Sequence, residues 1–263
     1  MTNQNEIRDA VRERYAEIAR ISEETPSSCC GTSSSCCGSP DISAIEIGYK
    51  NDDVNAAPDA AGFSLGCGNP TAIAGLRQGE TVLDLGAGGG FDCFLASRQV
   101  GPEGYVIGVD MTPEMVSKAR RSAAKLGYTN IEFRLGEIEH LPVGDSTVDV
   151  IISNCVVNLA PDKRAVYADA FRALAPGGRI AISDVVETTT LPDELRGRTD
   201  LLSACTVGAI GIDAILTILR EVGYVDPKID VDEASRGMID GWAPGFALGR
   251  YLASALITAR KPA

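Results

Sequence analysis

From residue 81 onward, short apolar runs alternate with longer stretches of mixed polarity. Thr81-Val-Leu-Asp-Leu85, Tyr105-Val-Ile-Gly-Val-Asp110, Ile131 to Leu135, Val148 to Asn154 and Gly178 to Val186 are short, apolar and bounded by turn residues, which predicts five strands. The segments between them have helical length: Phe91 to Val100, Pro113 to Leu126 and Asp162 to Ala175. Pro113 suits a first helical turn, where its missing N–H is not needed. Ile212 to Val222 reads as a late helix, and Tyr224 to Val231 and Tyr251 to Thr258 as late strands. Strands alternating with helices over short links predict an α/β fold: a doubly wound, seven-stranded, mostly parallel sheet with helices on both faces.

The first eighty residues follow another rhythm. Glu6 to Ile21 reads as a charged amphipathic helix with Ile7, Val11, Ile18 and Ile21 in a stripe, and Pro26 ends it. A Ser- and Gly-rich tract follows, expected to be mobile, with Cys29-Cys30 and Cys36-Cys37 in two vicinal pairs. The expected organisation is an N-terminal helix and Cys-rich segment over residues 1–60, then one domain over 61–263. A substrate cap is expected near 187–222.

Charge and cysteine content narrow the chemistry. The net charge is -12, which disfavours a nucleic-acid backbone as partner, because phosphate binding needs clustered Lys and Arg. The first twenty residues carry eight charges, so no secretory leader is expected, and no apolar run approaches the ~18 residues of a membrane span. The expected place is the cytosol, where thiols stay reduced. Eight cysteines there point to soft-ion binding, redox work or catalysis rather than structural disulfides.

Asp84-Leu-Gly-Ala-Gly-Gly-Gly90 closes the first predicted strand and opens the first helix of the alternating region. Glycine at Gly86, Gly88 and Gly90 permits a tight turn and close backbone approach to a ligand, with the partial positive field of a helix N-terminus behind it. The spacing differs from Gly-x-Gly-x-x-Gly, which weakens a nicotinamide dinucleotide reading. Asp110 ends the second strand beside the same crevice, where a carboxylate can accept hydrogen bonds from two ribose hydroxyls. Asp84 could meet a ligand ammonium, directly or through water. Such carboxylates suit a cationic cofactor such as a sulfonium.

These blocks resemble class I methyltransferases that use S-adenosylmethionine. Val109-Asp110-Met111 shares in this likeness, and the resemblance is closest to the arsenite methyltransferases, through Gly66-Cys-Gly-Asn-Pro70, Asp84 to Phe94, Gly136-Glu-Ile-Glu-His-Leu-Pro142 and Ser153-Asn-Cys-Val-Val-Asn-Leu159. It implies that Met111 belongs to the cofactor site, that Gly136, Glu137 and Ile138 border the adenine, and that Asn154 lies near the sulfonium. It also implies arsenite or its thiol conjugates as acceptor, with thioredoxin or glutathione as reductant, and arsenic detoxification as the role.

Trivalent arsenic is soft and binds thiolates by the logic that pairs Cys with other soft ions. Three sulfurs leave its lone pair free to attack a sulfonium methyl in line, so positioning matters more than proton removal. Cys67 in its Gly-Cys-Gly turn, Cys155 after the fourth strand and Cys205 after the fifth are the expected arsenic ligands, the last mainly by resemblance. Cys93 reads as core packing. Three roles stay open for Cys29, Cys30, Cys36 and Cys37: arsenic capture, redox exchange, or none. No structural metal is expected, since vicinal pairs fit zinc spacing poorly and His140 stands alone. Two competing readings are a methyltransferase for another small acceptor and an arsenic-sequestering protein without turnover.

Overall fold

The computed structural model describes residues 4–24, 74–196, 208–243 and 245–263. Cys29, Cys30, Cys36, Cys37, Cys67 and Cys205 lie outside the described residues.

Helix α1 (Gln4–Glu24) precedes a run of β1 (Thr81–Leu85), α2 (Phe91–Val100), β2 (Tyr105–Asp110), α3 (Pro113–Leu126), β3 (Ile131–Leu135), β4 (Val148–Asn154), α4 (Lys163–Ala173) and β5 (Leu174–Glu187). Then come a short α5 (Asp193–Arg196), α6 (Ile212–Val222), β6 (Val225–Asp232), α7 (Ser235–Trp242) and β7 (Leu252–Arg260). The seven strands form one sheet in the order β3-β2-β1-β4-β5-β7-β6. The pairs among β1 to β5 are parallel, and β7 runs antiparallel between β5 and β6. From β1 the chain winds outward to β2 and β3, then returns to the other side of β1 with β4. The carboxyl ends of β1 and β4 are therefore a switch point, where a doubly wound sheet opens a crevice.

The central strands are apolar on both sides, as strands covered by helices on each face must be. On one face Phe94, Val116 and Ala119 pack against Val82, Val106 and Ile152. On the other, Val166, Tyr167, Ile215 and Leu219 pack against Leu83, Ile151 and Ile180. A third cluster sits at the crevice end. It joins Val11 of α1 to Cys155, Val185, Ile239, Leu248 and Leu252, with Tyr15, Trp242, Phe246 and Tyr251 packed against it.

Four differences from the sequence expectation have physical causes. Strand β5 begins at Leu174, not Gly178, because Leu174 pairs with Val148 before a register shift. Helix α7 was not expected; Gly237 and Gly241 weaken its sequence signal. Helix α6, at the end of the stretch where a cap is expected, packs through Ile215 and Leu219 in the sheet-flanking core, and residues 197–207 of that stretch lie outside the described residues. Finally, α1 does not stand apart from the domain, since Val11 is buried in the crevice cluster.

Candidate active site

The loop after β1 forms the floor of the crevice. Gly86, Gly88 and Gly90 have φ of +70°, +50° and +91°, a region that side chains rarely tolerate. Space adds a second demand. A Cβ at Gly86 would come within 2.4 Å of the Val156 side chain, and one at Gly90 within 2.7 Å of Phe133. At Gly88 nothing lies within 4 Å, because this residue faces the open cleft. The loop is tied to β2: the Gly86 and Ala87 amides donate to the Val109 carbonyl at 2.8 and 3.0 Å.

Asp110 completes that tie. Its Oδ2 accepts from the Gly88 amide at 2.9 Å and its Oδ1 from the Thr112 amide at 2.8 Å. Each oxygen thus holds one backbone donor, and the Thr112 hydroxyl bonds the same carboxylate, which leaves acceptor capacity for a ligand hydroxyl. Burial raises the pKa of this carboxyl, and the two backbone bonds oppose the rise. Asp84 is only 3% exposed, yet lines the same cleft. Burial and the nearby Asp92 carboxylate push its pKa well up. Cys93 donates its S–H to Asp84 Oδ2 at 3.2 Å, which partly offsets that rise. Cys93 therefore supports the site as well as the core, a role its apolar helix position concealed.

The cleft spans about 800 Å³, counted out into the solvent at its mouth. Asp84, Gly86, Gly88, Asp110, Met111, Asn154 and Cys155 all line it. A smaller hollow of about 370 Å³ adjoins it, with Gly86, Met111, Ile138 and Leu159 in its walls. Gly90 and Gly136 line neither hollow. Gly136 instead donates to the Asp110 carbonyl at 3.0 Å and leaves no room for a Cβ beside Pro142. Glu137 also lines neither hollow; its carboxylate faces Arg8 and Arg12 of α1, each at 3.6 Å.

Helix α1 roofs the cleft, with Val11 and Tyr15 in its lining. Arg8 reaches from this helix to the buried carboxylate of Glu139 at 3.0 Å, and Arg20 pairs with Glu114 at the start of α3. The i, i+4 spacing of Val11 and Tyr15 was a usable sequence signal for a buried face, though nothing in it named the crevice.

Cys155 follows β4 with φ +55°, a left-handed conformation uncommon outside glycine. Its amide donates to the Ser183 carbonyl at 2.8 Å, and its side chain is buried at the cleft. It is disulfide-bonded, whereas Cys93 is a free, buried thiol. Of the three expected arsenic ligands, Cys155 is the one that falls within the described residues. Among those residues no group of three or more His, Cys, Asp or Glu could hold a metal ion, and no helix is long and apolar enough to cross a membrane.

Buried carboxylates beside an open glycine turn suit a ligand with positive charge and vicinal hydroxyls, as S-adenosylmethionine has. A family model described as a methyltransferase domain matches residues 76–223. The chain is 51% identical to an arsenite methyltransferase of Halobacterium salinarum, over 98% of this chain and 67% of that protein. It is 34% identical to the arsenite methyltransferase of Aquipseudomonas alcaligenes, over 86% of this chain and 64% of the relative. The chain thus spans about two thirds of the length of these relatives. An arsenic(III) S-adenosylmethionine methyltransferase from Chlamydomonas reinhardtii superposes with a TM-score of 0.64 at 35% identity, over 82% of this chain and 75% of that one. The chain belongs to the arsenite methyltransferase family, within the class I methyltransferases that use S-adenosylmethionine.

Proposed function

We propose that this chain methylates trivalent arsenic held on cysteine thiolates. The observation that carries the proposal is the place of Cys155: its side chain lines the same cleft as the Gly86–Gly90 turn, Asp84 and Asp110. When bound, S-adenosylmethionine supplies an electrophilic methyl on a sulfonium. Asp110 would hold the ribose hydroxyls, Asp84 the ammonium, and Met111 with Ile138 the adenine in the smaller hollow. Asn154 would border the sulfonium end. Val11 and Tyr15 on the roof helix line the cleft with apolar surface, which would shield the reacting centre and strengthen the charge interactions beside it.

Cys67 and Cys205 complete the thiolate set in this reading, and Cys29, Cys30, Cys36 and Cys37 serve capture or redox exchange. Arsenic binds a thiolate, so the disulfide at Cys155 must be reduced first. A thiol reductant such as thioredoxin or glutathione, in a reducing cytosol, fits that need.

The test is product speciation by chromatography. Reduced full chain, arsenite and S-adenosylmethionine are expected to give methylated arsenic, and Cys155→Ser to abolish it. No methylarsenic from the wild type, or equal yield from Cys155→Ser, would overturn the proposal. Tight arsenite binding with no release of S-adenosylhomocysteine would identify a sequestering protein instead.

A further inference from the structure

Cys155 sits on a turn whose shape its own sequence does not favour. A non-glycine residue in the left-handed region persists only where its surroundings over-determine it. The surroundings here are polar and buried. Asp184 of β5 is 2% exposed and reaches under the turn. Its Oδ2 accepts from the Asn158 amide at 3.0 Å, and its Oδ1 from Asn158 Nδ2 at 2.8 Å. Asn158 Nδ2 donates also to the Val185 carbonyl at 2.6 Å, and the Val185 amide returns a bond to Asp184 Oδ1 at 2.8 Å. One residue earlier on the same strand, the Ser183 carbonyl takes the Cys155 amide.

The turn is held from the rear as well. Lys163 Nζ donates to the Ala160 carbonyl at 3.1 Å. Gly208 packs so closely that a Cβ there would lie 2.1 Å from the Asn158 carbonyl oxygen. Asp184 itself does not line the cleft.

An apolar side chain would fill this space at lower desolvation cost. A buried carboxylate with all its donors in place has another merit: it specifies one backbone arrangement. We propose that Asp184 is a positioning residue, which holds the turn through Asn158 so that the Cys155 sulfur points into the cleft. Asparagine cannot substitute at position 184, because its amide nitrogen would face an N–H donor.

The inference rests on the proposed arsenic chemistry for its kinetic readout, but a second readout does not. That second readout is the rate of iodoacetamide alkylation at Cys155 in the reduced full chain, followed by mass spectrometry. Asp184→Asn is expected to change this rate at least fivefold and to raise the arsenite KM at least tenfold, with S-adenosylmethionine affinity within twofold of wild type. Val100→Ala, which empties space in the core cluster on the other face of the sheet, is expected to lower Tm without either change. If Asp184→Asn does not fold, Asn158→Ala removes one limb of the network and is expected to give the same split at smaller size. An unchanged alkylation rate in the folded variant overturns the proposal. So does a parallel loss of arsenite and S-adenosylmethionine affinity, or a change that Val100→Ala reproduces. If the wild type makes no methylarsenic, the function proposal falls, and the alkylation rate alone decides the role of Asp184.

Discussion

Arg8 Nη2 and Glu139 Oε1 lie 3.0 Å apart, and Glu139 is 5% exposed. This pair joins the roof helix to the wall beside Ile138, across 131 positions of sequence. Removing one partner of a largely buried pair leaves the other charge uncompensated, at a cost of about 3 kcal/mol where burial is complete. Arg8 is partly exposed, so the cost here should be nearer 1 kcal/mol, or roughly fivefold in an equilibrium. Arg8→Ala or Glu139→Gln is therefore expected to weaken S-adenosylmethionine binding about fivefold by calorimetry. Affinity equal to wild type would show that the roof does not retain the cofactor.

The glycine turn gives a graded series. Gly86→Ala forces a methyl to 2.4 Å from Val156, directly beside Cys155, in addition to the cost of a left-handed backbone. That cost alone is about 1 kcal/mol or more. Gly88→Ala meets no neighbour within 4 Å, but projects its methyl into the cleft. The first variant is expected to lose both stability and cofactor binding, and the second mainly binding. Thermal melts with and without S-adenosylmethionine separate them; equal behaviour of the two would contradict the geometry.

Asp84 sets stability against binding. Its folded-state pKa is raised, chiefly by burial, so between the unfolded and the folded value the folded chain binds a proton that the unfolded chain releases. For a raised pKa, the stabilisation is complete below the ordinary carboxylate value and is lost as pH rises through the folded value. Asp84→Asn removes that loss. It is expected to raise Tm near neutral pH, with a gain that shrinks on acidification, while weakening S-adenosylmethionine binding at least tenfold. A variant less stable than wild type at every pH would show that Asp84 contributes to the fold rather than straining it.

Trp242 is the single tryptophan of the chain, and it packs against the cluster that contains Cys155. Its emission should therefore report on the acceptor side of the cleft. Arsenite added to the reduced chain is expected to change Trp242 fluorescence by a fifth or more on a saturable curve, and Cys155→Ser to remove the response. A saturable change that survives Cys155→Ser would place arsenite elsewhere.

The central sheet was legible because parallel strands buried on both faces leave continuous apolar runs, as in Val148 to Asn154. Asp84, Asp110 and the glycines between them were legible because their chemistry is local to one strand end or one turn. What escaped depends on tertiary approach. Nothing near Cys93 shows that its sulfur lies 3.2 Å from Asp84 on the far side of the glycine loop, and nothing near Glu139 names Arg8. The apolar stripe of Ile212 to Val222 says that α6 buries a face, but not that the face meets Tyr167 rather than a substrate.

Asp84, Asp92 and Asp110 line one cleft, and each of the outer two raises the pKa of Asp84 by its charge. An empty cleft of this kind is self-repelling, and a cation that enters discharges it. The sulfonium of S-adenosylmethionine is such a cation, whereas the thioether left after methyl loss is neutral. Turnover therefore withdraws one positive charge from the field of these acidic groups. That electrostatic difference favours fresh over spent cofactor, and added salt is expected to narrow it.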